Sequence, residues 1–282
     1  MKIAEYRKET AGTLSPFFGD EAGSISDILF CHYLGVDRSG LILMGGEEIP
    51  AFLPEKLNSA ADELSLGVPV QYVIGECWFY GINIKIGKGC FIPRSDTEVL
   101  VKAALSALPP GGVFADICTG SGCIAAAIAH TRKDARGVAL ELSPKALAFA
   151  GQNLAEHPNV KVLRFDAVDE DDYLKLRGQF GEKFDLITCN PPYIPTGDID
   201  FLDQQVLYEP KTSLDGGEDG LFYYREIVKL LDIILKKEGT VIFEVGRGQS
   251  HDVSAILAEE GYCRAVIKDL NQTERVILAK KY

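Results

Sequence analysis

The sequence predicts an α/β fold, a largely parallel sheet with helices on both faces, together with a small helical domain on its N-terminal side. Three observations carry this. After Pro109-Pro110-Gly111-Gly112, short apolar strands alternate with helical stretches, the pattern of parallel strands joined by crossover helices. A glycine-bearing loop, Gly120-Ser121-Gly122, lies where the first of those strands turns into its helix. Residues 1 to about 75 show helical spacing of apolar positions instead.

In the N-terminal stretch, Ile25, Ile28, Leu29, Tyr33 and Leu34 recur at helical spacing and end at Gly35, a natural C-cap. Leu53, Leu57, Ala61 and Leu64 repeat the pattern until Gly67-Val68-Pro69 stops it. From Trp78 to Ile86 the period becomes two, with Tyr80, Ile82, Ile84 and Ile86 on one face. Gly87-Lys88-Gly89 then offers a turn before Cys90-Phe91-Ile92, which predicts a hairpin linker. Ser95-Asp96-Thr97-Glu98 has capping-box spacing, with Ser95 as N-cap of a helix running through Leu108. The expected domains are therefore a helical one at 1–75, a β-hairpin linker at 76–94 and a sheet domain at 95–282. Within the last, strands are expected at 113–117, 137–142, 160–165, 184–189 and 240–245. Ser143 is placed to cap the helix after the second, and Cys263–Lys268 with Arg275–Ala279 to form a terminal antiparallel hairpin.

Composition narrows the function classes. A formal net charge of -12 disfavours a protein that grips a nucleic-acid backbone and suits a protein or small-molecule partner. Seven cysteines without a Cys-x-x-Cys pair, and four scattered histidines, point to reduced thiols and to no metal site. No apolar run is long enough to span a membrane, and the residues after Met1 do not resemble a secretory signal, so a cytoplasmic address is expected.

The glycine loop, Asp116-Ile117-Cys118-Thr119-Gly120-Ser121-Gly122, is a candidate cofactor site, because ligands in open parallel sheets bind beyond the carboxyl ends of the strands. Gly120-x-Gly122-x-x-Ala125 also satisfies a dinucleotide fingerprint, which keeps a nicotinamide enzyme open. Asp116 favours a cationic ligand, a methionine ammonium, over a pyrophosphate. Glu141, ending the second strand, suits ribose hydroxyls in either cofactor, and Asp166, after the third, can accept from an adenine amino group. The acids that follow it, Asp169 to Asp172, read as a solvated helix start.

Asn190-Pro191-Pro192-Tyr193 follows the fourth strand. An amide or aromatic amino nitrogen is a poor nucleophile, because its lone pair is delocalised. Two acceptors aimed at its N–H groups, the Asn190 side-chain oxygen and the Pro191 carbonyl, can favour a pyramidal nitrogen and direct its lone pair. The prolines stiffen the loop, and Tyr193 can stack on a planar group.

These blocks together resemble the peptide chain release factor N5-glutamine methyltransferases, the PrmC/HemK family. Gly67-x-Pro69-x-x-Tyr72-x-x-Gly75, Phe79-Tyr80-Gly81 and Ile92-Pro93-Arg94-x-x-Thr97-Glu98 resemble that family's domain junction. Glu209-Pro210, Gly216-Gly217-x-Asp219-Gly220-Leu221, Glu244-x-Gly246 and Glu274-Arg275-Val276 resemble later blocks in order. The resemblance implies a Rossmann-like, seven-stranded class I methyltransferase domain using S-adenosyl-L-methionine. It implies that Cys118, Thr119, Gly120, Ser121, Gly122 and Glu141 bind that cofactor, with Asp116, Asp166 and Asn190 as further candidates. It also implies that Asn190, Pro191, Pro192 and Tyr193 hold the glutamine of the Gly-Gly-Gln loop of a release factor, with Asn190, Pro191 and Tyr193 as the catalytic set. A monomer without nucleic-acid or membrane partners is expected. The same clamp chemistry leaves a ribosomal-protein glutamine or an adenine-N6 methyltransferase as alternatives. The chain departs from the family at Glu141, where Asp is usual, at Cys118, where Gly is usual, at Ala167, where an aromatic often covers the adenine, and in a longer insertion before Asn190.

Overall fold

The computed structural model describes residues 1–281, which fall into two compact units. The first comprises Met1–Glu76 together with a returning segment, Asp203–Tyr208. Its helices are α1 (Ile3–Phe18), α2 (Ala22–Leu34), α3 (Arg38–Leu43), α4 (Leu53–Ser65) and α5 (Val70–Ile74), with α10 (Gln204–Leu207) in the returning segment. Gly35 ends α2 in the left-handed conformation that lets its N–H reach back to the last carbonyls. Leu14, Leu29, Phe30, Leu53, Leu57 and Leu64 form this unit's core, the inward stripes of α1, α2 and α4. Tyr208 donates its hydroxyl to the Leu66 carbonyl at 2.7 Å.

The second unit, Cys77–Leu202 and Glu209 onward, holds the sheets. A small one pairs β1 (Glu76–Phe79) with β2 (Ile82–Lys85). The hairpin turn is therefore at Tyr80-Gly81 rather than at Gly87–Gly89, because both of those residues take positive φ, 48° and 78°, as a tight two-residue turn between strands requires. Ile84 and Ile86 are buried on the face the alternation predicted. A second expectation also changes. Ser95–Thr97 is a 3₁₀ turn, and α6 (Glu98–Ala107) starts without a side-chain cap. Glu98 does not reach back; its carboxylate accepts the Tyr80 N–H at 2.9 Å and so secures the hairpin turn.

The large sheet has seven strands: β3 (Val113–Ile117), β4 (Arg136–Glu141), β5 (Val160–Arg164), β6 (Phe184–Cys189), β7 (Leu235–Glu244), β8 (Tyr262–Lys268) and β9 (Glu274–Lys281). Their order is β5-β4-β3-β6-β7-β9-β8. The strands from β5 to β7 run parallel, and β9 is antiparallel to both of its neighbours. Side chains alternate between two cores. Val113, Ala115 and Ile117 face α9 (Glu170–Phe180), α11 (Phe222–Ile234) and α12 (Ser250–Glu259), whereas Phe114 faces α6 and α7 (Cys123–Thr131). Ser143 caps α8 (Pro144–Asn153) as its position predicted. The strand order reverses between β3 and β6, so the loops leaving those two strands diverge and leave a crevice at their carboxyl ends. Among the described residues no helix is long and apolar enough to cross a membrane.

Candidate active site

Ile117, the last residue of β3, pairs with Cys189, the last residue of β6. Cys118 and Asn190 therefore leave the sheet side by side and on the same edge. Both line one cavity of about 690 Å³, within the size range of a small-molecule site. The carboxyl ends of four parallel strands and the segments that leave them enclose it: Cys118–Ser121 after β3, Glu141–Pro144 at the end of β4, Phe165–Ala167 after β5 and Asn190–Ile194 after β6.

The glycine loop is held from several directions. Thr119 donates its N–H to the Leu140 carbonyl at 3.0 Å, and the Glu141 carboxylate accepts the N–H of Gly120 and of Ser143, both at 2.8 Å. Burial pushes the Glu141 carboxyl above its ordinary range, and those backbone bonds pull it back. Gly120 has φ of 57°, and a Cβ built on it would meet nothing within 4 Å, so the absent side chain leaves open space along the loop. Cys118 also has positive φ, 58°, which accounts for the glycine usual at that place in the resembling family.

Asp116 is placed differently from the rest of the predicted set. Its carboxylate is fully buried behind the loop and does not line the cavity. It accepts the Thr188 hydroxyl at 2.7 Å and the Thr119 hydroxyl, tying β3, β6 and the loop together. Desolvation raises its pKa to about 6, against the lowering effect of those hydroxyls. Gly122, the N-cap of α7, likewise sits outside the lining. Cys118, Thr119, Gly120, Ser121, Glu141 and Asp166 do line it. One Asp166 oxygen accepts the Val168 N–H at 3.1 Å.

On the β6 side, Pro191 and Pro192 are buried and Tyr193 packs against the core. The Tyr193 carbonyl accepts from Gln249 Nε2 at 2.8 Å, and Gln249 Oε1 accepts the Gly246 N–H at 3.0 Å. Ile194 donates to the Leu214 carbonyl and accepts from Gly216, at 2.9 and 2.8 Å. A Cβ on Gly220 would collide with the Tyr193 carbonyl oxygen, so only glycine lets the 216–221 loop close over this turn. The far wall carries Phe91 and Pro93. It is fixed by Glu209, which accepts the Ile92 N–H at 2.9 Å and pairs with Arg94, while the guanidinium lies 5.0 Å from the Phe91 ring centroid. Two blocks more than a hundred positions apart in sequence are thus one structural joint.

The lining includes residues the sequence reading missed. Tyr223, from α11, is the most telling, since Ala167 contributes no ring. Its signal was present: Tyr224, Ile227, Val228 and Leu231 form the buried stripe of α11, which leaves the preceding aromatic turned aside. The lining carries carboxylates at Glu141 and Asp166 and a single cationic side chain, Arg164. That donor set, with open space at Gly120, fits a cationic adenosyl sulfonium better than a pyrophosphate.

The sequence is similar to known proteins over most of its length. The family described as PrmC N-terminal domain matches residues 7–75, and the one described as Methyltransferase small domain matches residues 95–218. A release factor glutamine methyltransferase of Thermodesulfovibrio yellowstonii is 36% identical, with 90% of each chain covered. This chain belongs to the release factor glutamine methyltransferase family. Another member, from Geobacter sulfurreducens, is 36% identical over 95% of this chain and 93% of its own. A methyltransferase of Pyrococcus furiosus shares the fold, with a TM-score of 0.51 at 17% identity, covering 72% of this chain and 91% of that one. As a family member the chain is an S-adenosylmethionine-dependent methyltransferase, and its seven-stranded sheet is the class I arrangement.

Proposed function

We propose that this protein methylates the side-chain amide nitrogen of a glutamine in a peptide chain release factor, at the clamp formed by Asn190–Tyr193. The observation that carries the reading is the shared cavity: the glycine loop after β3 and the Asn-Pro-Pro-Tyr turn after β6 open into the same space. The names of its relatives supply the substrate class.

Cys118 to Ser121 and Glu141 would hold S-adenosylmethionine, with Asp166 and Tyr223 beside the adenine and Asp116 and Gly122 bracing the loop from behind. When bound, the cofactor supplies an electrophilic methyl group on a sulfonium. The protein's task is to make an amide nitrogen nucleophilic. The Asn190 side-chain oxygen and the Pro191 carbonyl accept the two N–H groups of the glutamine amide, which draws its lone pair out of conjugation. Buried Pro191 and Pro192, and the latch from Gln249 to the Tyr193 carbonyl, keep those acceptors in place before substrate arrives. Tyr193 gives the amide plane a flat surface. No general base is required, because the alkylated nitrogen is strongly acidic and releases its proton to water.

The test is transfer of labelled methyl to purified release factors, each beside a variant with Ala in place of the loop glutamine. Label should appear on the parent and be absent from the variant. Equal labelling of both would refute the glutamine assignment.

A further inference from the structure

A buried carboxylate behind the clamp is not used by that chemistry. Glu244 ends β7, one residue beyond Phe243, and Phe243 pairs with Cys189. Glu244 therefore stands level with Asn190 on the neighbouring strand. It is 1% exposed, and its Oε2 has no hydrogen-bond partner among the described residues. The Asn190 amide and the Thr97 hydroxyl are near enough to favour the charged carboxylate, and Thr97 Oγ1, also buried, has no hydrogen-bond partner among the described residues. Arg275 of β9 and Asp96 of the 3₁₀ turn are its charged neighbours, the Tyr193 phenol is near enough to feel its charge, and the Tyr224 hydroxyl of α11 donates to the Glu244 backbone carbonyl at 2.8 Å.

An asparagine amide has an accepting end and a donating end of nearly the same shape, and packing distinguishes them poorly. An ionised carboxylate does so by charge, because it can only accept. An ionised Glu244 would draw the Asn190 Nδ2–H₂ group toward itself and leave Oδ1 toward the cavity, where an acceptor is needed. A protonated Glu244 can donate, and it then allows the reversed amide, which presents N–H to N–H.

We propose that Glu244 is a positioning residue that holds the Asn190 amide with Oδ1 facing the substrate. This rests on the glutamine-methylation reading and deepens it. Burial raises the Glu244 pKa to about 7, with Thr97, Arg275 and Asn190 lowering it and Asp96 raising it. The ionised form that orients the amide is therefore lost as the pH falls through neutrality.

Steady-state methylation of a release factor by the wild type and by Glu244→Gln, from pH 6 to pH 9, tests this, with calorimetric titration of S-adenosylhomocysteine at each pH. Glutamine keeps the shape but donates as readily as it accepts. The wild-type kcat should fall several-fold between pH 8 and pH 6. The variant's kcat should be about tenfold lower at pH 8 and flat with pH, a fraction of the loss expected for removing a preorganised polar group. KM for the release factor and affinity for S-adenosylhomocysteine should change less than twofold. Full activity in the variant, or a variant profile as steep as the wild type's, overturns the role. If the variant does not fold, the wild-type profile decides: a flat kcat over this range overturns the role. A wild type that methylates no release factor at any pH refutes the glutamine reading itself, and this inference with it. Normal wild-type transfer with unaltered variant kinetics refutes the inference alone.

Discussion

Cys118 begins the cofactor loop in a left-handed backbone conformation that costs a residue with a Cβ roughly 1–2 kcal/mol. Replacing it by glycine removes that strain but adds chain entropy to the unfolded state, worth roughly 0.5–1 kcal/mol in the opposite direction. Cys118→Gly should therefore stabilise the protein by up to about 1 kcal/mol, raising Tm by roughly 2–4 °C, with S-adenosylhomocysteine binding retained. A lowered melting temperature would mean that the thiol's packing against Cys189 and the surrounding core outweighs the strain. Asn190 tests the clamp directly. Asn190→Ala should reduce kcat by on the order of 10²–10³ with folding intact, the loss typical of one preorganised polar contact in a transition state. Near-normal turnover would remove Asn190 from the chemistry. At this scale the sequence showed which residue types gather, and it was less informative about which way they point. Asp116 was legible as a strand-end acid. Its burial among Thr119 and Thr188 was not, because that depends on which face of β3 the residue takes. Glu244 was legible only as part of a block, since its proximity to Asn190 needs the β6–β7 register.

Elements were easier to read than their junctions. The strands at 113–117 and 184–189 fall at the expected residues, because each is a short apolar run bounded by turn residues. The misplaced hairpin turn arose where two glycine-containing turns lay close together. Tyr80-Gly81 won although a tyrosine had to take positive φ, helped by the Glu98 carboxylate that receives its N–H. The Ser95 capping box failed for the same reason, since the acid it needed was occupied at that turn. The element that fixes the clamp from below, the β7–α12 turn, carried no motif beyond Glu244-x-Gly246. Its Gln249 bridges the Tyr193 carbonyl, the Gly220 carbonyl and the Gly246 N–H. Gln249→Ala should cost about 1–3 kcal/mol by leaving those groups unpaired, and it should lower kcat more than it raises KM for the release factor. Denaturant melts alongside kinetics check both parts. Unchanged kcat in a destabilised variant would make the latch structural only.

Across the whole molecule, two buried carboxylates set an unusual balance with pH. Asp116 ionises at about 6 in the folded chain and Glu244 at about 7, both above the ordinary carboxylate range, with burial the leading cause. The folded protein therefore keeps protons that the unfolded chain has already released, and stability should rise as the pH falls from about 7 toward 4. Each pK unit is worth about 1.4 kcal/mol per group, and relief of the net charge of -12 acts in the same direction. Carboxyls held low by hydrogen bonds, such as Asp215 and Asp219, oppose this only below their ordinary pKa near 4. Thermal melts should thus give a higher Tm at pH 5.5 than at pH 8, with the difference reduced in Asp116→Asn. A Tm that increases steadily with pH would contradict the burial argument. The returning segment Asp203–Tyr208 has a consequence for dissecting the protein. The helical unit is not an N-terminal bead on a string, because it is spliced from two stretches of chain. A cut after Glu76 would strand six residues, taking the Leu66 carbonyl from the Tyr208 hydroxyl and Gly67 from Gln204. Excising the first unit cleanly thus takes a second edit, a short bridge from Leu202 to Glu209 that removes the orphaned turn.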